Sequence, residues 1–114
     1  MSWINLSSIS QLNESFLNSE NKPQLYFKHS TRCIISKMAL KEFERSGVLN
    51  RLNADFYLLD LLNYREISNE ITKLSNLEHQ SPQAILIKNK SVIYAASHSA
   101  IDGGKLESIL EELQ

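Results

Sequence analysis

One cysteine is all that this chain of 114 residues carries, at position 33, and that scarcity decides much of its chemistry. A lone thiol excludes an intramolecular disulfide and any zinc centre built on several thiolates. It also argues for a reducing compartment, because a secreted domain of this size with one unpaired thiol is unusual. Punctuation is just as sparse: Pro23, Gly47, Pro82 and the pair Gly103-Gly104 are all there is. No repeat, low-complexity tract or linker divides the chain, so one domain over residues 1–114 is expected. Charge of either sign is not in excess. Twelve basic and thirteen acidic residues leave a net charge of −1, which gives no field for nucleic acid or anionic lipid, and neither is expected as a partner. No apolar run approaches the roughly 20 residues that span a bilayer. Met1 to Ser10 lacks the basic-then-apolar pattern of a secretion leader. A soluble cytoplasmic protein is the expectation.

What is there reads as alternating helices and strands. Ile9, Leu12, Phe16 and Leu17 share one helical face, and Ser8 with Gln11 has capping-box spacing. Gln24 to Lys28 reads as a buried strand, and a helical period starts at Cys33 with Ile35, Met38, Ala39 and Phe43 on one stripe, ending near Gly47. The apolar run within Asp55–Leu62 predicts a strand buried on both faces. Asn63 and Glu66 then have capping-box spacing ahead of a helix with Ile67, Ile71, Leu74 and Leu77 on one stripe. Ala84–Ile87 and Val92–Ala95 form a hairpin around Asn89-Lys90-Ser91. The last helix carries Leu106, Ile109, Leu110 and Leu113, capped by Asp102. The order predicts an α/β chain of thioredoxin-like fold. Its expected centre is a four-stranded mixed sheet, the first two strands parallel through a right-handed crossover, flanked by helices with an extra one at the N-terminus.

Chemistry concentrates at Cys33. It stands where a strand ends and a helix begins, and there free backbone N–H groups and the helix dipole favour a thiolate, the nucleophilic form. The polar approach Ser30-Thr31-Arg32 argues against a cysteine buried in the core, and Arg32 and Lys37 add positive charge nearby. Ser36, three residues on, cannot resolve a mixed disulfide as a second cysteine would, but its hydroxyl has the spacing to hydrogen-bond the thiolate. Pro82 follows Ser81 and precedes the third strand. An isolated X–Pro bond is usually trans, but in this fold that position holds a cis proline facing the active cysteine. His29, four residues before Cys33, is a further candidate near the thiol. His79 and His98 read as structural, and the three histidines are too dispersed for metal spacing, so no metal site is expected. Gly103-Gly104 lacks a nucleotide-binding context, and Glu107, Glu111 and Glu112 read as a solvated face.

Phe27-Lys28-His29-Ser30-Thr31-Arg32-Cys33-Ile34-Ile35-Ser36 resembles the active-site stretch of the monothiol bacilliredoxins of the YtxJ type. Asn63 to Asn69, Glu78 to Gln83, Ile85 to Lys88 and Ala96-Ser97-His98 resemble the same family's third helix, cis-proline segment and hairpin. The resemblance implies a redox protein that removes a low-molecular-weight thiol, bacillithiol, from mixed disulfides on client proteins. It implies Cys33 as the attacking thiol, Ser36 in the place of a resolving cysteine and Pro82 as the cis proline. Thr31, Arg32, His29, Ser81 and Pro82 are then the candidate substrate-binding residues. The small thiol enters as co-substrate, no bound cofactor is expected, and a second thiol molecule or a reductase regenerates Cys33. One departure stands out: the family commonly has proline after the cysteine, where this chain has Ile34. Two other readings compete. One is a non-catalytic docking module on the same fold. The other is an iron–sulfur carrier like the monothiol glutaredoxins, for which Cys33-Ile34-Ile35-Ser36 is bulkier than the usual Cys-Gly-Phe-Ser.

Overall fold

A computed structural model describes residues 3–113; Met1, Ser2 and Gln114, the ends of the expected 1–114 domain, lie outside the described residues. The elements in chain order are β1 (Ile4–Asn5), α1 (Ile9–Asn18), β2 (Gln24–His29), α2 (Ile34–Arg45), β3 (Asp55–Asp60), α3 (Arg65–Ser75), β4 (Gln83–Lys88), β5 (Ser91–Ser97) and α4 (Gly103–Glu112). Short 3₁₀ turns at Val48–Asn50 and His98–Ala100 complete them.

The sheet has five strands in the order β1-β3-β2-β4-β5, one more than expected. The extra strand, β1, runs parallel to β3 over only two residue pairs, Ile4 with Tyr57 and Asn5 with Leu58. Two residues carry no alternation pattern, so the sequence offered no sign of it. β2 and β3 are parallel, as expected of a crossover, and β4 is antiparallel to both β2 and β5. Every residue of the central β2 is buried, because helices cover both faces. Its side chains alternate between two cores. Leu25 and Phe27 meet Phe43, Phe56, Leu106 and Leu110 on the side of α2 and α4. Tyr26 meets Leu12, Tyr57, Ile67 and Ile71 on the side of α1 and α3.

Several local details differ from the periodic reading. In α1, Leu12 and Ser15 face the core while Ile9 and Leu17 are exposed. Ser8 does cap α1, accepting from the Gln11 N–H at 3.0 Å, but the Gln11 side chain reaches back to the Ser7 N–H rather than that of Ser8. Asn63 caps nothing: Tyr64 holds the cap position of α3, and Asn63 instead donates to Asp60 Oδ2. Asp60 is the reason, because its backbone carbonyl and side chain also take the N–H groups of Asn63 and Leu62, and that turn ends β3 two residues early. The hairpin turn places both Asn89 and Lys90 at positive φ, 53° and 62°. This is the geometry of a two-residue type I′ turn, which favours glycine at the second position. Ser19, at the end of α1, steadies it by accepting the Asn89 N–H on its carbonyl and the Lys90 N–H on its hydroxyl. Asp102 caps α4 as expected, accepting from Gly104 and Lys105. No helix among the described residues is long and apolar enough to cross a membrane.

Candidate active site around Cys33

The site forms at the C-terminal end of β2. The chain leaves the sheet at His29, turns through Ser30–Arg32, and enters α2 with Cys33 as N-cap in extended conformation. Cys33 donates its N–H to the Ser30 carbonyl at 3.2 Å and accepts from Lys37 N–H at 3.0 Å. Its thiol is half-buried and makes no capping hydrogen bond. Cys33 thus stands at the end of α2 where the first-turn amides have no partner within the helix. Thr31 and Arg32 are exposed on the approach loop.

Ser36 is fully buried. Its hydroxyl does not hydrogen-bond Cys33 here. It contacts His29 Nδ1 at 2.7 Å and accepts the Ser30 N–H at 3.0 Å. Helical geometry still places Ser36 one turn below Cys33 on the same face. The expected Ser36–thiol bond is thus replaced by a bond to His29, because the imidazole at the end of β2 points at the first turn of α2. His29 is itself buried, and burial lowers its pKa below the ordinary imidazole value. Asp60 and Glu44 oppose that shift and Lys37 adds to it.

The Ser81-Pro82 peptide bond is cis. Gln83 pairs with Lys28, so Pro82 and Ser81 emerge beside His29 and the loop that leads to Cys33. Pro82 is buried and Ser81 half-buried, and the Pro82 carbonyl accepts the His98 N–H at 3.0 Å. That bond ties the end of β5 to the proline segment. The sheet register thus gathers His29, Cys33, Ser36, Ser81 and Pro82 at one end of the molecule.

Two features escaped the sequence reading. The stripe Ile35, Met38, Ala39, Phe43 does not all face inward. Ser36 and Phe43 are the buried residues of α2, while Ile34, Ile35 and Met38 are 69%, 52% and 62% exposed. Ile35, Met38 and Ala39 line an apolar groove of about 400 Å³, closed on its far side by His98, Ser99 and Ile101. The second feature is Lys28, whose side chain is wholly buried on the α3 side. Its ammonium donates to Thr72 Oγ1 at 3.0 Å and to His79 Nδ1 at 3.1 Å. Burial pulls its pKa from 10.5 to about 8. His79, exposed, lids this ammonium from outside, and its own pKa is lowered by desolvation and then by Lys28 and Arg65. Among the described residues no three His, Cys, Asp or Glu side chains are grouped to hold a metal ion.

Solved structures share this architecture. One described as a candidate oxidoreductase with a thioredoxin fold aligns with a TM-score of 0.79 at 33% identity, over 95% of this chain and 92% of that one. The thioredoxin of Trypanosoma brucei brucei aligns with a TM-score of 0.74 at 17% identity, over 98% and 90%. That of Malassezia sympodialis aligns with a TM-score of 0.70 at 21% identity, over 97% and 90%. The fold is therefore the thioredoxin fold. A family model described as monothiol bacilliredoxin BrxC matches residues 4–106, which takes in all nine elements but the last turns of α4. With one half-exposed cysteine heading α2 and a buried serine where a second thiol would stand, this chain belongs to the monothiol bacilliredoxin family of redox proteins.

Proposed function

We propose that this protein removes a low-molecular-weight thiol of the bacillithiol class from mixed disulfides on client proteins in a reducing cytoplasm, using Cys33 as its only nucleophile. The observation that carries the reading is Cys33 at the N-cap of α2, half-exposed, with Ser36 in the resolving position. The Cys33 thiolate attacks the small-thiol sulfur of the mixed disulfide. The new bond joins Cys33 Sγ to the small thiol, the old S–S bond breaks, and the client cysteine leaves as a thiolate that takes a proton from solvent. The client is reduced and Cys33 is oxidised. No second cysteine exists to resolve it, so a second small-thiol molecule, or a reductase, attacks the Cys33 disulfide and restores the thiolate. Exchange is fastest when the attacking thiol titrates near ambient pH.

The collar of Ile34, Ile35 and Met38 supports a protein as the other partner. Apolar side chains this exposed beside a reactive thiol match a surface that covers itself on a client chain. Thr31, Arg32, Ser81 and Pro82 edge the same opening and are the proposed substrate contacts, with His29 beneath them.

The test is intact mass after mixing reduced protein with a model protein carrying a bacillithiol mixed disulfide. Gain of one bacillithiol on Cys33 with release of the free model protein is the expected result, absent in Cys33→Ser and slowed in Ser36→Ala. An unchanged mass with both bacillithiol-loaded and glutathione-loaded substrate would leave a docking module as the better reading.

A further inference from the structure

The hydroxyl of Ser36 has one hydrogen and two lone pairs. One lone pair accepts the Ser30 N–H. The 2.7 Å contact with His29 Nδ1 then admits two arrangements. If Nδ1 is unprotonated, Ser36 donates its hydrogen to His29 and has none left for Cys33. If Nδ1 carries a proton, His29 donates, both lone pairs are filled, and the hydroxyl hydrogen is driven out of the His29–Ser30 plane. Cys33 stands three residues back, one turn away on the same face of α2. The imidazole is buried at the end of β2, which holds it against Ser36.

We infer that His29 is a positioning residue for Cys33: the state of its Nδ1 decides whether the Ser36 hydroxyl is donated to the thiolate or withheld from it. This rests on Cys33 being the reacting thiolate, as proposed above. When Cys33 ionises, the Ser36 hydroxyl turns to Sγ and Nδ1 takes a proton, by tautomer exchange or from solvent. When Cys33 is held in a mixed disulfide, the hydroxyl returns to Nδ1. Serine in the resolving position is then an adjustable donor, and the histidine four residues before the cysteine is its control. The charged groups that act on His29 are Asp60 at the end of β3 and Glu44 and Lys37 on α2. They are common to every variant below, so their effect cancels.

The magnitude follows from rotamer counting. Of the three staggered hydroxyl positions the Ser30 N–H bond leaves about two for the hydrogen, and filling the second lone pair selects one, a factor of about 2, or about 0.3 of a unit in the thiolate midpoint. Asparagine at position 29 carries an amide N–H that can donate to Ser36 Oγ where Nδ1 stands, and leucine carries no donor. The experiment is titration of the Cys33 thiolate by its ultraviolet absorbance in His29→Asn and His29→Leu, each with Ser36 intact and with Ser36→Ala. The expected result is a midpoint about 0.3 of a unit lower in His29→Asn than in His29→Leu, vanishing when Ser36 is alanine. Equal midpoints with Ser36 present, or a difference that survives its removal, overturn the inference.

Nitrogen NMR of His29 in the folded wild-type protein gives a second reading that needs no variant. Protonation at Nδ1 is expected to rise as Cys33 ionises and to fall when Cys33 is S-methylthiolated. A histidine signal indifferent to the state of Cys33 also overturns the inference. Neither measurement uses a client or a small thiol. Failed exchange with intact coupling would therefore count against the proposed function and leave the coupling standing.

Discussion

Replacing Lys28 by methionine should make the protein more stable at neutral pH, and the gain should disappear in alkali. Lys28 is wholly buried with only neutral partners, Thr72 and His79. Its pKa is near 8 in the fold against an ordinary 10.5. Keeping its proton in the folded state below that value therefore costs about 3 kcal/mol, at 1.36 kcal/mol per unit. The sign runs upward with pH. Between about 8 and 10.5 the unfolded chain still holds a proton that the folded one has released, so stability rises over that window. Methionine keeps an unbranched side chain in the same space and carries no charge. It forfeits the bonds to Thr72 and His79, worth about 1 kcal/mol each at most, since Thr72 still donates to the Ser68 carbonyl and exposed His79 finds water. The net expectation at pH 7 is a gain of about 1–2 kcal/mol for Lys28→Met, falling by about 2–3 kcal/mol by pH 10 and so reversing sign. Urea unfolding of both proteins at matched pH values measures the difference. Tyr26 and Tyr57 titrate above the ordinary tyrosine range, because burial disfavours their ionised forms, and their alkaline effect is shared by both proteins and cancels. A difference that stays constant from pH 7 to 10 would refute a buried, charged Lys28.

Further tests address packing and local geometry. Gly103→Ala puts a Cβ 2.1 Å from Ser46 Oγ and 2.7 Å from Ser46 Cβ, forcing α4 off α2; a loss of about 2 kcal/mol is expected in chemical denaturation. Gly104→Ala meets only Asp102 Oδ1 at 3.3 Å and should change stability by less than about 1 kcal/mol. Lys90→Gly relieves a positive φ in the hairpin turn and should raise thermal stability by about 0.5–1 kcal/mol, the exposed ion pair with Glu20 offsetting little of it. Asp102→Ala removes the side-chain cap of α4 and should cost about 1 kcal/mol, read as a lower melting temperature.

The sequence made the order of elements legible because the long strands are apolar and the long helices periodic. It made the ends of elements less legible. Asn63 and Glu66 have capping spacing, yet Asp60 captured the turn first. The stripe on α2 was legible as a stripe but not in its direction. Periodicity reports which residues share a face, and Ile35 and Met38 do share one, but it faces outward beside Cys33. An apolar face turned to solvent has the same period as one turned to the core. At the site, Cys33, Ser36 and Pro82 were legible from spacing and from their places in the strand order. The His29–Ser36 contact was not, since it depends on the direction in which a strand-end side chain points. Lys28 gave no signal either: a lysine in an apolar strand reads as an edge or an exception, and only the packing of α3 shows it enclosed.

Trp3, immediately before β1, stacks on Phe43 with ring centroids 5.6 Å apart and meets Phe27 and Phe56 edge-on, while its indole N–H donates to Glu44 at 2.8 Å. It is the chain's only tryptophan. Its emission is therefore a native optical gauge of one seam, where the N-terminal segment closes over β2, β3 and the helix that carries Cys33. Because its partners stand some 24 to 53 residues away in the chain, a fluorescence change on refolding times the closure of long loops, not the winding of any single helix. The same signal watches Glu44, on the active-site helix, without a label and without touching the thiol.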